Sequence, residues 1–158
     1  MNEITIRLAV LDDWPTIVDF NCRLAEESEE LLLDRRRVEP GVRALLADGH
    51  KGRYFVACLE GGRIVGQMMH TWEWSDWRNG QIWWLQSVYV APEFRRRGVF
   101  RRLFEHLSNQ AAADPEVVGL RLYVDERNQA AQEVYCELGL HRSTYLVMER
   151  LRFTEDSK

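Results

Sequence analysis

Five arginines surround one glycine in RRRGVFRR, residues 95–102, of a chain whose formal net charge is −4. They stand between an apolar, β-prone stretch, QIWWLQSVYV, and the segment GVFRRLFEHLSNQAAAD. In the latter, Val99, Phe100, Leu103, Phe104, Leu107 and Ala111 recur at helical spacing. A helix start already carries partial positive charge, so cations gathered there are unfavourable unless solvent screens them or an anion binds. Strand, loop and helix start are the parts of an anion site, because first-turn N–H groups point toward the loop and Gly98 lets backbone approach the ligand. A diphosphate suits such a site. Neither the nucleotide P-loop pattern nor GxGxxG occurs, so the common nucleotide and dinucleotide fingerprints are excluded. A solvated run of charge and a nucleic-acid contact are the competing readings of the arginines.

The elements that must position this stretch follow from pattern. EITIRLAV alternates as a first strand, and Asp12 or Asp13 caps a helix through TIVDFNCRLAEESEE with Pro15 in its first turn. A second helix is expected in PGVRALLAD, closed by Gly49. RYFVACLEGGRIVGQMMHTWEW reads as a hairpin turning at Gly61 and Gly62, and QIWWLQSVYV as a buried strand. After the arginine helix, VVGLRLYV is a strand, NQAAQEVYCELG a short helix ended by Gly139, and LHRSTYLVMERL a final strand. The order βααβββαβαβ describes a mixed α/β (α+β) domain without repeats or linkers. At 158 residues and 46% hydrophobic content, one domain over 1–158 is expected, with 154–158 as a flexible tail.

Cys22, Cys58 and Cys136 are odd in number, scattered and set in apolar sequence, which fits reduced, mostly buried thiols and a cytoplasmic setting. No basic segment precedes a long apolar one at the N-terminus, and no window approaches 18 apolar residues, so neither secretion nor membrane spanning is expected. A pI near 5.6 argues against general nucleic-acid binding. His50, His70, His106 and His141 lack metal-ligand spacing, and no metal is implied. Cys136 has no recognisable histidine partner, which disfavours transfer through a covalent thioester on the protein.

VAPEFRRRGVFRRLFEHL resembles the acyl-CoA pyrophosphate loop of the GNAT superfamily of N-acetyltransferases, a Gln or Arg followed by x-x-G-x and then Gly or Ala. Arg95 takes the first position and Gly98 the glycine, while Phe100 stands where the family usually has a small residue. NQAAQEVYCELGL resembles the family's later N-x-x-A-x-x-x-Y-x-x-x-G segment through Asn128, Ala131, Tyr135, Gly139 and Leu140. The order of elements agrees as well. The resemblance implies a GNAT fold whose mostly antiparallel sheet splays between strands 4 and 5, with acetyl-CoA as acyl donor.

It also implies roles. The opening beside residues 85–90 receives the pantetheine arm along Val88, Tyr89 and Val90, and the Val88 N–H polarises the thioester carbonyl. Arg95, Arg96, Arg97, Gly98, Val99, Phe100 and Arg101 grip the diphosphate, mainly through backbone N–H groups, and Arg102 faces solvent. Tyr135 resembles the general acid that protonates the departing thiolate; its plain reading is a packing residue. Asn128 either touches the CoA arm or only caps its helix. Where several relatives carry a strand glutamate as base, this chain has Trp84 and Gln86, leaving water or a carboxylate such as Glu26, Glu30, Glu73 or Asp76.

An acidic helix end at Glu26, Glu27, Glu29, Glu30 and Asp34 would suit a cationic amine or be plain solvated surface. Five tryptophans in TWEWSDWRNGQIWW would be core, homodimer interface or, less simply, a cage for an ammonium. The resulting expectation is an N-acetyltransferase acting on a primary amine of a small molecule or peptide by direct attack. The alternative is a catalytically weak acyl-CoA-binding regulatory domain.

Overall fold

A computed structural model describes residues 3–152. Met1, Asn2 and the expected tail at 154–158 lie outside the described residues. The chain divides into two compact units, residues 1–121 and 122–158.

In the first unit, β1 (Ile4–Leu8), β2 (Arg53–Leu59), β3 (Ile64–Ser75), β4 (Gly80–Val90) and β5 (Val117–Arg121) form one sheet in that spatial order. Each of the first four is antiparallel to its neighbour, and β5 runs parallel to β4. Short turns join β2 to β3 and β3 to β4; the parallel pair needs a crossover, supplied by α3 (Val99–Ala113). Helices α1 (Trp14–Glu29) and α2 (Arg35–Ala47) lie between β1 and β2 in sequence.

Local chemistry explains the helix boundaries. Asp13 accepts the Val10 N–H (2.8 Å) and both Arg7 guanidinium nitrogens (2.7 and 2.9 Å), tying the start of α1 to β1. Glu30 closes α1 in a left-handed conformation. The second helix begins at Arg35, ahead of the expected Pro40, because Asp34 accepts the Arg36 N–H (3.0 Å) and so supplies a cap upstream of the proline. Pro40 therefore sits inside α2.

Both faces of the sheet are covered. Ile17, Val18, Val42, Tyr54, Val56, Cys58 and Met69 form the core under α1 and α2. On the other face, α3 buries Val99, Leu103, Phe104, Leu107 and Ala111, while Phe100 is half-buried and lies 6.2 Å from the Phe104 ring. This is the apolar face expected from the helical spacing. α3 approaches β3 closely at Gly66, where a Cβ would stand 2.9 Å from Val99 Cγ1 and 3.3 Å from the Tyr89 carbonyl oxygen. His70, fully buried on β3, stacks on Trp83 (3.9 Å between ring centres), with Trp72 edge-on at 5.1 Å. Trp72 and Trp83 thus belong largely to the packing, whereas Trp74 and Trp77 are exposed.

The second unit holds α4 (Gln129–Glu137) in the place expected for the last helix. The expected final strand, LHRSTYLVMERL, does not form: residues 141–150 join no ladder, and Tyr145, Leu146, Val147 and Met148 are exposed. The Ser143 hydroxyl accepts the Tyr145 N–H (3.2 Å), a local bond that competes with strand pairing, and periodicity alone names no sheet edge for such a segment. β5 likewise stops at Arg121, before the expected Val124. Among the thiols, Cys58 is buried and Cys22 half-buried, but Cys136 is exposed, contrary to the apolar setting of its sequence.

Two expectations follow. Gly66→Ala should lower stability by about 1–3 kcal/mol in urea unfolding, because β-branched Val99 and the β4 backbone both have to yield; an unchanged midpoint would refute the close contact. Burial pushes the His70 imidazole down to about 4, so the unfolded chain binds a proton there before the folded one does. Stability is then lost as pH falls from about 6.5 toward 4, by up to about 3 kcal/mol. His70→Phe should show a smaller drop in melting temperature over that interval than the parent protein; equal drops would place the acid sensitivity elsewhere.

Candidate active site

The ladder between β4 and β5 runs from Gln81↔Val117 to Trp84↔Arg121 and ends there, whereas the ladder between β4 and β3 continues to Val90↔Gly66. From Leu85 to Val90, β4 has a strand on one side and, among the described residues, none on the other. This is the expected splay between strands 4 and 5. At the fork, Arg121 donates to Glu73 Oε2 (2.7 Å) across the intervening strand, and its guanidinium lies 5.7 Å from the Trp84 ring centre.

Within the open stretch β4 is bulged. Gln67↔Tyr89 and Met69↔Gln86 place two steps of β3 against three of β4, and Ser87 takes a positive φ of 50°. A serine in the left-handed region is held there by its surroundings. Gln67, fully buried on β3, donates through Nε2 to the Ser87 carbonyl oxygen (3.1 Å) and to Asn21 Oδ1 on α1 (2.7 Å). Asn21 in turn donates to the Tyr54 hydroxyl on β2 (3.0 Å).

β4 delivers the chain into the arginine loop. The Ala91 N–H bonds the Val65 carbonyl (2.9 Å), Pro92–Phe94 make one tight turn, and Arg96 (φ 59°) and Gly98 (φ 77°) are left-handed. Two such residues bracketing Arg97 curl the backbone into a concavity of the kind N–H groups line for anions. Gly98 is the residue before α3, and no side chain caps the helix, whose first turn closes with Arg102 N–H on the Gly98 carbonyl (3.0 Å). β4, loop and helix start are thus brought together as the sequence pattern required.

The arginines divide their work. Arg95 donates through Nη2 to Glu27 Oε2 (2.6 Å) and through Nε to the Val90 carbonyl (2.9 Å), with its guanidinium 5.4 Å from the Tyr89 ring centre. The buried Tyr89 hydroxyl donates to the other Glu27 oxygen (2.9 Å). Burial pushes the Glu27 carboxyl up, but its bonds from Arg95 and Tyr89 outweigh this and hold it below the usual range. Arg97 lies over the Phe94 ring at 5.5 Å, and Arg102, expected only to face solvent, bonds the Ile4 carbonyl of β1 (2.9 Å). Arg96 and Arg101 are exposed.

The other expected residues fall as follows. Gln86 donates to Thr71 Oγ1 (2.8 Å), which puts it on one face with Thr71 and, two residues along β3, Glu73. Glu26 and Glu30 are exposed at the C-terminal end of α1, and Asp76 is exposed in the β3–β4 turn. Asn128 and Tyr135 belong to the second unit. Asn128 caps α4 by accepting the Ala131 N–H (3.1 Å), and Tyr135, on α4, has its phenol pushed up by burial. Sequence reading missed Glu27 as the partner of Arg95 and missed Asn21, Gln67 and Ser87 altogether. Glu27 could have been paired by charge with the arginine run; nothing local in GQIWWLQSVYV marks the bulge. Among the described residues, no group of three His, Cys, Asp or Glu side chains is placed to hold a metal ion, and no helix is long and apolar enough to cross a membrane.

The chain is similar to known proteins in sequence and fold. The model of the acetyltransferase (GNAT) family matches residues 14–140. Thialysine N-epsilon-acetyltransferase of Bos taurus is 29% identical over 147 residues, spanning 86% of this chain and 83% of that protein. A crystal structure of a possible acetyltransferase from Clostridium difficile 630 is 43% identical, with a TM-score of 0.89 over 95% of this chain and 98% of that one. A predicted acetyltransferase with acetyl-CoA from Clostridium acetobutylicum, 15% identical, shares the fold at a TM-score of 0.77 over 94% of this chain and 96% of its own. With the family's model running from α1 through the end of α4, and with the β4 fork and glycine loop in their expected places, the chain belongs to the GNAT acetyltransferase family.

Proposed function

We propose that the protein transfers an acetyl group from acetyl-CoA to a primary amine by direct attack. The observation that carries this reading is the edge of β4 from Leu85 to Val90, which has no strand on one side among the described residues and leads into the left-handed turns at Arg96 and Gly98. A linear ligand with amide groups can pair with Val88 and Val90 as an added strand would. Its diphosphate then meets the concave backbone before α3, where the helix start favours anions. The donor's chemistry therefore fits the residues present.

Acetyl-CoA supplies a thioester carbonyl carbon that bonds the amine nitrogen as the C–S bond breaks. The Val88 N–H donates to the carbonyl oxygen as charge gathers there, an interaction whose loss typically costs about 10²–10³ in rate. Tyr135 gives its hydroxyl proton to the departing thiolate. Burial holds that phenol above its ordinary value, so it is protonated throughout the neutral range. Glu73, the only carboxylate in β3 and β4, receives the proton shed by the attacking nitrogen, and water carries it to solvent. The exposed Glu26 and Glu30 favour the approach of a cationic acceptor.

The names of the Bos taurus and Sus scrofa relatives point to the ε-amine of thialysine, and we take an amine at the far end of a small molecule as the acceptor class. The free thiols suit a reducing compartment such as the cytoplasm.

An assay of CoA release across lysine analogues, polyamines, aminoglycosides and peptide N-termini should find turnover with the small-molecule amines. CoA binding without turnover on any of them would instead make the protein an acyl-CoA-responsive regulatory domain. Tyr135→Phe should lower kcat by about 10²-fold while leaving CoA affinity intact. The parent enzyme should lose activity at alkaline pH as the Tyr135 phenol ionises, and the variant should lack that limb; identical profiles would remove Tyr135 from proton transfer.

A further inference from the structure

We infer that Gln67, oriented by Asn21, is the positioning residue that aims the Val88 N–H at the thioester oxygen. The inference rests on the reading of Val88 as the donor and extends it to three side chains outside the reacting atoms.

Ser87 and Val88 share one peptide group, and among the described residues every peptide bond is trans. In a trans peptide the C=O and N–H are rigidly opposed, so fixing one direction fixes the other. Gln67 Nε2 holds the Ser87 oxygen at 3.1 Å, which turns the Val88 N–H away from the Gln67 side chain. The peptide needs such a clamp. Ser87 has a φ of 50° at a bulge, a conformation costing about 1–2 kcal/mol for a residue with a Cβ. Without a bond to its carbonyl, the peptide could relax by rotating, and the N–H would rotate with it.

The clamp is itself specified. Gln67 Nε2 meets two oxygens, Ser87 O and Asn21 Oδ1, so reversing the amide would set oxygen against oxygen at both contacts. Asn21 cannot reverse either, since its Nδ2 would then face Gln67 Nε2, donor against donor; the Tyr54 hydroxyl, able to donate or accept, takes whichever bond Asn21 offers. Tyr54, Asn21 and Gln67 form a circuit from β2 through α1 and β3 to the Ser87 peptide of β4. A fully buried amide costs free energy wherever a bond is unmade, so packing alone would favour an apolar residue here. Gln67 Nε2 makes both its bonds, one to the Ser87 peptide oxygen and one to Asn21, while its Oε1 has no hydrogen-bond partner among the described residues.

Gln67→Met keeps the length of the side chain and removes the donor. Its full-length protein should bind CoA with unchanged affinity, while kcat falls by about tenfold or more, the loss expected when an oxyanion donor is misaimed rather than deleted. Asn21→Ala, at a half-buried position, should show the same split more weakly and serves if Gln67→Met folds poorly. The decisive readout is the Val88 amide proton in nitrogen–proton correlation spectra titrated with acetonyl-CoA, whose ketone stands in for the thioester. In the parent protein this proton should move downfield on binding; in Gln67→Met the shift should shrink. No shift in the parent protein would overturn the Val88 reading itself. A full shift in both proteins, with equal kcat, would leave that reading standing and overturn the role of Gln67.

Discussion

Everything at this site depends on β5 leaving β4 after a ladder that ends at Trp84↔Arg121. A strand in the middle of a sheet ordinarily satisfies its backbone on both sides, and six residues of β4, Leu85 to Val90, have a strand on only one among the described residues. Such a segment is stable only if its other neighbours hold it, and they do. β3 stays paired as far as Val90, α1 packs Phe20 against Tyr89 at 5.0 Å, and the Arg95 side chain takes the Val90 carbonyl. The parting also places α3 correctly, because the crossover that returns the chain to a parallel strand must begin where β4 ends. A helix start and an open strand edge therefore meet at one point as a matter of topology rather than coincidence.

The arginine cluster resolves into unequal parts in light of that geometry. Arg95 is neutralised by Glu27 and braces the end of β4 against α1; Arg102 fastens α3 to the carbonyl of Ile4 at the other edge of the sheet. Those two serve construction. Arg96, Arg97 and Arg101 keep their charge near the concave backbone, with Arg97 steadied on Phe94. A chain of net charge −4 can thus keep a cationic spot without a cationic surface, since Glu27 offsets the charge of Arg95 beside it.

Legibility in the sequence followed the range of the interaction concerned. The α3 face, the Gly61–Gly62 turn and the glycine opening α3 depend on neighbours within a few residues, and all three were readable from spacing. The early start of α2 depended on Asp34 outcompeting the proline as a boundary signal, a contest between two local cues that pattern does not rank. The final strand failed for a different reason: alternation describes a ribbon with two faces but does not supply an edge to pair with. The bulge at Ser87 was invisible because its cause lies in Gln67 and Asn21, 20 and 66 residues away, and no residue type in LQSV demands a left-handed turn. The chemical role assigned to Tyr135 rests on resemblance, since neither spacing nor composition gives a lone tyrosine on a short helix one, whereas the capping of α4 by Asn128 is a local matter.

The crossover from β4 through α3 to β5 is one unbroken stretch, Gly80 to Arg121, and it contains the open edge, the glycine loop and the helix start. The helices bearing the acidic residues, α1 and α2, come from a separate part of the chain and are joined to that stretch by few polar contacts, chiefly those of Glu27 and the Gln67 circuit. Descent with modification can therefore redraw the acidic helices while the open edge, the glycine loop and the helix start are inherited together. Glu27, Asn21 and Gln67 are the residues that would have to change in concert with both halves, and they mark where that freedom ends.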